Sequence, residues 1–499
     1  MALSRQKGAA NGYFLQFGGF NMVKTIAQTL QITILRLFKF LLVLVLFLLF
    51  YGLFALTEPE LLRASRTAAI TLICFPVICI AMLKIYGGFP IGVKKTREIV
   101  YSAAIATFLT DCITYAQLAI MRFNFPNRSY FQDFFTFMGV VLLQLIAINL
   151  FGYMGNYLYF KVNPPANCLV IFGRKEGLPQ FVGKISKYKK QYKVCALADV
   201  SDMTPDELKR KIRAHQAIFL FGIPENDKSW ILEYCYKHGR TTYLSPELSD
   251  IITRQSRHVI IDDLAVLESR VTGLSFEQRV LKRAMDIIIS GAGLLVASPV
   301  MLIEALAIKL EDGGPVFFRQ PRMTKDGKVF DVLKFRTMIV DADKDVKRLA
   351  SQNDDRITKV GKFLRKTRMD ELPQFINILK GDMSIVGPRP EQVEITEKYV
   401  EVLPEFRYRL KVKAGLTGLA QIQGKYNTTP RDKLIFDLIY IEQYSIWVDI
   451  KLILQTVKVL FKSDSTEGVT GELPEGYDFL MEDAPPEKPE KPEQAQNAG

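Results

Sequence analysis

The sequence predicts a membrane protein in three parts. These are a four-helix transmembrane bundle, a small parallel α/β domain, and a mostly helical C-terminal domain with a re-entrant membrane helix. Three observations predict it. Four apolar runs, at 33–56, 67–86, 99–121 and 134–157, crowd the first third of the 499 residues. Strand-like segments alternate with polar helical ones over 161–265. A fifth apolar run, Ile287 to Ile308, carries Ser298-Pro299 at its middle.

Residues 1–30 are polar and read as an N-terminal cytoplasmic segment, not as a cleavable signal. The four runs fill residues 31–160. Each is near the ~20 residues that a helix needs to cross a bilayer. Arg5, Lys7 and Lys24 precede the first run, and Lys94, Lys95 and Arg97 separate the second from the third. Basic loops stay in the cytoplasm, so an even number of crossings returns residue 160 to that side. Asp111 lies inside the third run. It reads either as a functional site or as one partner in a helix–helix hydrogen bond.

Residues 161–265 read as a Rossmann-like α/β domain. Asn167 to Gly173, Lys193 to Asp199 and Ala217 to Gly222 are strand-like, with helix-forming stretches between. Such alternation argues for a parallel sheet. The first turn, Gly173-Arg-Lys-Glu-Gly177, lacks the G-x-G-x-x-G spacing that lets a backbone approach a pyrophosphate. The domain is therefore expected to be degenerate and structural or regulatory, even with Asp199 at a strand end.

Residues 266–463 form the last domain. Its apolar run is expected as a helix over about 284–310 that enters one leaflet, breaks at Ser298-Pro299 and returns. Proline removes a backbone hydrogen bond and kinks a helix. Both flanks are basic, with Lys282 and Arg283 before and Lys309 after. Lys and Arg also outnumber Asp and Glu from Lys309 to Arg368, which favours retention in the cytoplasm. Residues 464–499, rich in Pro and Glu, cannot bury a core and are expected to be disordered.

The net charge of +13 accompanies so much apolar sequence that anionic headgroups and phosphorylated substrates fit it better than nucleic acid. Cys74, Cys79, Cys112, Cys168, Cys195 and Cys235 show no metal-ligand spacing and read as reduced thiols. Beyond residue 266 there is no His and no Cys. Chemistry there must rest on a carboxylate, aided by Lys, Arg and a metal ion.

The candidate is Asp370-Glu371. Asp370 has the look of a helix N-cap, with Lys380-Gly381 closing the helix. A cap is one reading of the pair. An anion site at a helix start is the other. Basic residues surround it in sequence: Arg319, Arg322, Lys334, Arg336, Arg365 and Arg368. Gly387-Pro-Arg-Pro-Glu391 is a stiff loop that presents Arg389.

Residues 279–462 resemble the bacterial sugar transferase family, the monotopic polyprenyl-phosphate phosphoglycosyl transferases. The residues that carry the resemblance are Lys282-Arg-Ala-Met-Asp286, Ser298-Pro299, Gly314-Pro-Val-Phe-Phe-Arg-Gln320, Leu333-Lys-Phe-Arg-Thr-Met338, Asp370-Glu-Leu-Pro-Gln374, Gly381 to Pro390 and Gly415-Leu-Thr-Gly418. The membrane helices and α/β module resemble the additions of the family's large subclass. One departure is Ala414, where the pattern leads one to expect Pro.

The resemblance implies transfer of sugar-1-phosphate from a UDP-sugar, expected to be a UDP-hexose, to polyprenyl (undecaprenyl) phosphate, with release of UMP. This would be the first membrane step of exopolysaccharide, capsule or O-antigen synthesis. It implies Asp370 as the nucleophile, Glu371 as its helper, and Mg²⁺ held by both. Lys282, Arg319, Lys334, Arg336, Arg365 and Arg368 are the candidates for substrate phosphates. Pro388, Arg389 and Pro390 would take the nucleotide end. Asp437 and Glu391 are further acids whose role stays open. The expected place is the inner membrane of a bacterium, with the last domain on the cytoplasmic face. A homodimer is a further expectation, since neither the bundle nor the α/β module has an obvious chemical task. The alternatives are a multi-pass sensor or transporter using Asp111 and Asp199, and a scaffold in which the acid pair is only a cap.

Overall fold

A computed structural model describes residues 33–121, 130–254, 256–269, 273–340, 354–424 and 428–460. The expected N-terminal segment 1–30 and tail 464–499 lie outside the described residues. The protein is mostly helical, with several apolar helices and a parallel sheet. It divides into two compact units at Tyr243/Leu244.

In the first unit, α1 (Thr33–Thr57), α2 (Arg66–Tyr86), α3 (Thr96–Met121) and α4 (Tyr130–Val162) are each long and apolar enough to cross a membrane. Ser65 caps α2 by accepting from the Ala68 N–H, and Gly87 closes it in the left-handed conformation at φ 71°. Leu46, Phe50, Phe54 and Phe75 are fully buried, with the Phe50 and Phe75 rings meeting between α1 and α2, while Leu44, Leu48, Leu72 and Ile73 face outward. Apolar side chains on both faces suit helices surrounded by lipid. The Gln144 amide of α4 donates to Asp111 Oδ1 at 3.2 Å and to the Leu46 carbonyl at 3.0 Å, joining three helices.

The α/β part holds β1 (Ala166–Phe172), α5 (Leu178–Ser186), β2 (Tyr192–Asp199), α6 (Pro205–Ala214), β3 (Ala217–Phe221), α7 (Glu225–Lys237) and β4 (Thr241–Leu244). The sheet order is β2-β1-β3-β4, and β1 pairs in parallel with β2 and β3. Cys168, Val170 and Phe219 are core residues here, which accounts for one of the thiols.

The second unit begins with α8 (Leu248–Arg254) and the hairpin β5 (Arg257–Ile261)–β6 (Leu264–Glu268). Next comes α9 (Phe276–Asp312), which has a Ser275 capping box and ends at Gly313. The antiparallel ribbon β7 (Phe317–Met323)–β8 (Val329–Phe335) follows. Then come α10 (Lys359–Thr367), α11 (Gln374–Lys380), β9 (Ser384–Val386), α12 (Val393–Val402), β10 (Gly415–Thr417), α13 (Leu419–Gln423), α14 (Pro430–Glu442) and α15 (Ile446–Leu460). Ile378, Met383, Val386, Phe406, Leu434 and Leu438 form the core. Ile251 of α8 joins it, so α8 packs with this unit rather than with the sheet.

The fifth apolar run forms one helix, and α9 continues through Ser298-Pro299. Pro299 has no N–H to give to the Leu295 carbonyl four residues back. Ser298 Oγ gives its hydrogen to that carbonyl instead, at 2.9 Å. A substituted donor of this kind is how proline is tolerated inside an apolar helix.

Both ends of α9 are held by the same unit. Near its start, Lys282 Nζ meets Asp449 at 2.7 Å and the Val386 carbonyl at 2.9 Å. Asp286 accepts from Ser384 Oγ and the Ile385 N–H, both at 2.9 Å. In the middle, a Cβ on Gly293 would lie 3.1 Å from the Phe375 ring. At the far end, Asp312 takes the Arg336 fork, Glu311 accepts from the Lys359 N–H at 2.8 Å, and Ile308 packs on Phe335 and Leu364.

Lys282 is thus a buried counter-ion. Substituting Lys282→Met strands the Asp449 carboxylate and should cost about 3–5 kcal/mol. The expected result is a clear fall in the thermal midpoint in detergent, much of it regained in Lys282→Met/Asp449→Leu.

Candidate active site

The acid pair sits on a reversal between two helices. Thr358 caps α10 by accepting from the Gly361 N–H at 2.9 Å. The helix ends at Arg368, whose φ of 59° is left-handed without being glycine. Such a residue costs of order 1–3 kcal/mol and persists only where its surroundings impose it. A single 3₁₀ turn, Met369–Glu371, follows. The position before α11 is occupied by Pro373, and no side chain caps that helix. Asp370 is therefore not the N-cap it was expected to be. Its carboxylate holds no hydrogen bond among the described residues.

Glu371 is committed. Its Oε1 meets Lys334 Nζ at 3.2 Å and Arg389 at 3.0 Å. Lys334 comes from β8 and Arg389 from the Gly387–Glu391 loop, so this oxygen joins two elements. The loop is supported from behind. The Arg389 carbonyl accepts from Arg409 at 2.9 Å, and Arg409 pairs with the fully buried Asp437 at 2.8 Å. Arg322 donates to the Pro390 carbonyl at 3.1 Å, and Glu391 meets Lys433 at 3.4 Å. A Cβ on Gly387 would lie 2.3 Å from the Lys413 carbonyl, so only glycine fits there. Ala414 donates its N–H to Thr324 Oγ1 at 3.1 Å, a bond that proline could not make.

The basic candidates separate. Lys334 and Arg389 reach the acid pair directly. The charges of Arg365 and Arg368 also act on it. Lys282 is turned away into its buried pair, and Arg336 is spent on Asp312 and the Pro315 carbonyl. Arg319 is exposed opposite Leu333, whereas Lys334 stands opposite Phe318. Residues opposite one another share a face, so the ribbon turns Arg319 and Lys334 to different sides. Pro388 is buried and holds the loop at Arg389. Sequence reasoning missed Arg409, which carries no motif signal. It also passed over Glu304 of α9, only 6% exposed and with both oxygens unpartnered among the described residues. An acid within an apolar run was the available sign.

The two acids titrate in opposite directions. Burial pushes the Asp370 carboxyl up to about 6, with Lys334 opposing and Glu371 adding to the rise. Burial also pushes Glu371 up, but Lys334, Arg389 and Arg368 outweigh it and hold that carboxyl well below its usual range. Paired acids driven apart in this way divide roles, one ionised throughout and one poised.

Among the described residues no three His, Cys, Asp or Glu side chains stand close enough to cage a metal. Mg²⁺ does not require that. It commonly takes one or two carboxylates, with substrate phosphates and water completing the octahedron. The open Asp370 carboxylate and the second oxygen of Glu371 fit that chemistry.

The family model for bacterial sugar transferases matches residues 277–463. The chain is 41% identical over 189 residues to the UDP-glucose:undecaprenyl-phosphate glucose-1-phosphate transferase of Caulobacter vibrioides, covering 37% of this chain and 71% of that protein. The chain belongs to the bacterial sugar transferase family. The Escherichia coli (strain K12) protein of the same name is 46% identical over 219 residues, 43% of this chain and 47% of that one. The undecaprenyl-phosphate galactose phosphotransferase of Salmonella typhimurium is 33% identical over 257 residues, 48% of this chain and 53% of that one. The match to these two thus spans about half of their length. In this sugar transferase every candidate from Lys282 to Asp437 falls inside the matched segment.

A carboxylate attacks only when ionised. If Asp370 is the attacking group, turnover should rise with pH through about 6 and level off above it. Glu371→Gln removes the negative charge that raises Asp370, so the acid limb of its residual activity should move to lower pH. A pH profile of initial rates checks both.

Proposed function

We propose that this sugar transferase moves a sugar-1-phosphate from a UDP-sugar to polyprenyl phosphate through a covalent intermediate on Asp370. The observation that carries this is the contrast within the pair. Glu371 is fixed by two cations, while Asp370 is uncommitted, partly buried and ringed by positive charge. The names of the relatives supply the substrate class: a UDP-sugar as donor, undecaprenyl phosphate as acceptor, glucose or galactose as the sugar. A sensor or transporter built on Asp111 and Asp199 finds no support in them.

In the first half-reaction an Asp370 oxygen bonds to the β-phosphorus of the UDP-sugar. The bond from that phosphorus to the bridging oxygen breaks, and UMP leaves with the electron pair. The product is an acyl-phosphate bearing the sugar. In the second half-reaction an oxygen of polyprenyl phosphate bonds to the same phosphorus, and the Asp370 carboxylate departs. Splitting the transfer keeps two anionic substrates from having to meet. Lys334 and Arg389 are placed to receive phosphate oxygens, with Arg365 and Arg368 adding field. Mg²⁺, held through Asp370 and Glu371, would offset the pyrophosphate charge.

The lipid acceptor explains α9. We read this helix as dipping into one leaflet of the bacterial inner membrane from the cytoplasmic side. Its support is that both ends of α9 are tied to one compact unit, which a straight crossing would divide. Basic residues near the headgroups gain about 1 kcal/mol each from anionic lipid.

Two measurements test this. UMP release from UDP-hexoses with undecaprenyl phosphate in detergent should fall by on the order of 10⁴-fold or more in Asp370→Asn. Labelled sugar-phosphate should remain on the wild-type protein when acceptor is withheld, and normal turnover by the variant would overturn the assignment. For α9, Lys328→Cys on a background free of native cysteines should stay unlabelled by an impermeant maleimide in intact cells. Labelling before permeabilisation would rule out the re-entrant reading.

A further inference from the structure

The helix bundle holds a polar cluster that the transfer reaction does not use. Asp111 of α3 is 0% exposed, Gln144 of α4 is 1% and Thr107 of α3 is 2%. Both amide hydrogens of Gln144 are spent, on Asp111 Oδ1 and on the Leu46 carbonyl. That leaves Asp111 Oδ2, Gln144 Oε1 and Thr107 Oγ1 buried without a partner among the described residues. Thr107 lies one helical turn before Asp111, so the two side chains share a face. The neighbouring hydroxyls cannot help. Thr110 and Thr114 give their hydrogens to the carbonyls of Ala106 and Thr110, each at 2.8 Å.

No protein cation serves the carboxylate either. The described basic residues of the four helices are Arg36, Lys39, Arg66, Lys84, Arg97 and Lys161. All sit towards helix ends, and no ion pair joins any of them to Asp111. The titratable neighbours are Cys79 of α2 and Cys112 of α3. Further along, Tyr115 of α3 donates to Asp133 of α4 at 3.1 Å. A carboxylate at this depth costs several kcal/mol if nothing offsets it. The three oxygens share one unspent donor, the Thr107 hydroxyl hydrogen, and nothing offsets the carboxylate charge, so the cluster calls for an electropositive guest. A water could complete the hydrogen bonds, donating to Asp111 and Gln144 and accepting from Thr107, but it brings no charge to offset the carboxylate. Hard oxygen ligands select a hard cation, and a single carboxylate suits one positive charge better than two.

We infer that Asp111, Thr107 and Gln144 form an intramembrane binding site for one small monovalent cation, sodium or a hydrated proton. The guest satisfies all three oxygens and ties α3 to α4 at the point where the amide already ties both to α1. The site belongs to the membrane unit and makes no use of Asp370.

The test uses the full chain in lipid nanodiscs. Unfolding is followed in NaCl and in N-methylglucamine chloride at equal ionic strength, from pH 5.5 to 8.5. Sodium occupancy predicts a saturable rise in the midpoint of roughly 2–4 °C, largest at high pH, where protons compete least. Proton occupancy predicts a pH-dependent midpoint indifferent to sodium. Asp111→Asn should abolish whichever response is seen. Thr107→Val, which keeps the charge and the fold, should weaken sodium binding about tenfold in a direct assay with radioactive sodium. Equal midpoints in both salts, with the same pH dependence in wild type and Asp111→Asn, would overturn the site.

Discussion

One carboxylate oxygen organises the C-terminal unit. Glu371 Oε1 draws Lys334 from the β7–β8 ribbon and Arg389 from the proline-flanked loop to a single point. Without it, two cations would repel one another beside Asp370. With it, both charges act on Asp370 while that carboxylate remains unspent. The rest of the unit supports this arrangement. Asp437 holds Arg409, which holds the loop backbone, and Asp312 and Glu311 fix β8 and α10 to the end of α9. The ionic network is extensive, but its gain is positional: it fixes where charge stands before any substrate arrives.

The sequence made some of this legible and hid the rest for physical reasons. Apolar runs long enough to span and alternating strands are properties of local composition, so the apolar helices and the parallel sheet could be read directly. The acid pair could be located, but its geometry could not. Asp370 resembled a helix cap because Pro373 and Gly381 bracket a helix, and a left-handed Arg368 leaves no mark in sequence. Basic residues were the least legible. Lys282, Arg319 and Arg336 look like Lys334 in sequence, and only the tertiary structure shows that Lys282 and Arg336 are already paired and that Arg319 lies on the other face of the ribbon. Arg409 was missed because its value lies in touching a backbone carbonyl twenty positions away.

Two local departures from expectation have the same kind of explanation. Ser298-Pro299 reads as a break because proline removes a donor, but the adjacent hydroxyl supplies the missing hydrogen to Leu295. Ala414 stands where the family pattern suggests proline, and its N–H is in use on Thr324. In both places the chain accounts for each backbone hydrogen bond. Counting donors and acceptors explains them better than residue propensity does.

The anchoring of α9 at both ends has a consequence for topology. Five helices satisfy the length and hydropathy of a membrane span. If α9 dips and returns, the number of apolar helices and the number of crossings differ by one. Parity then decides the side of the bilayer. An odd count would place everything after α9 on the opposite side. On that reading, a short set of side-chain bonds at Lys282, Asp286, Glu311 and Asp312 would determine which side of the bilayer the acid pair occupies, a choice that a count of apolar helices does not make.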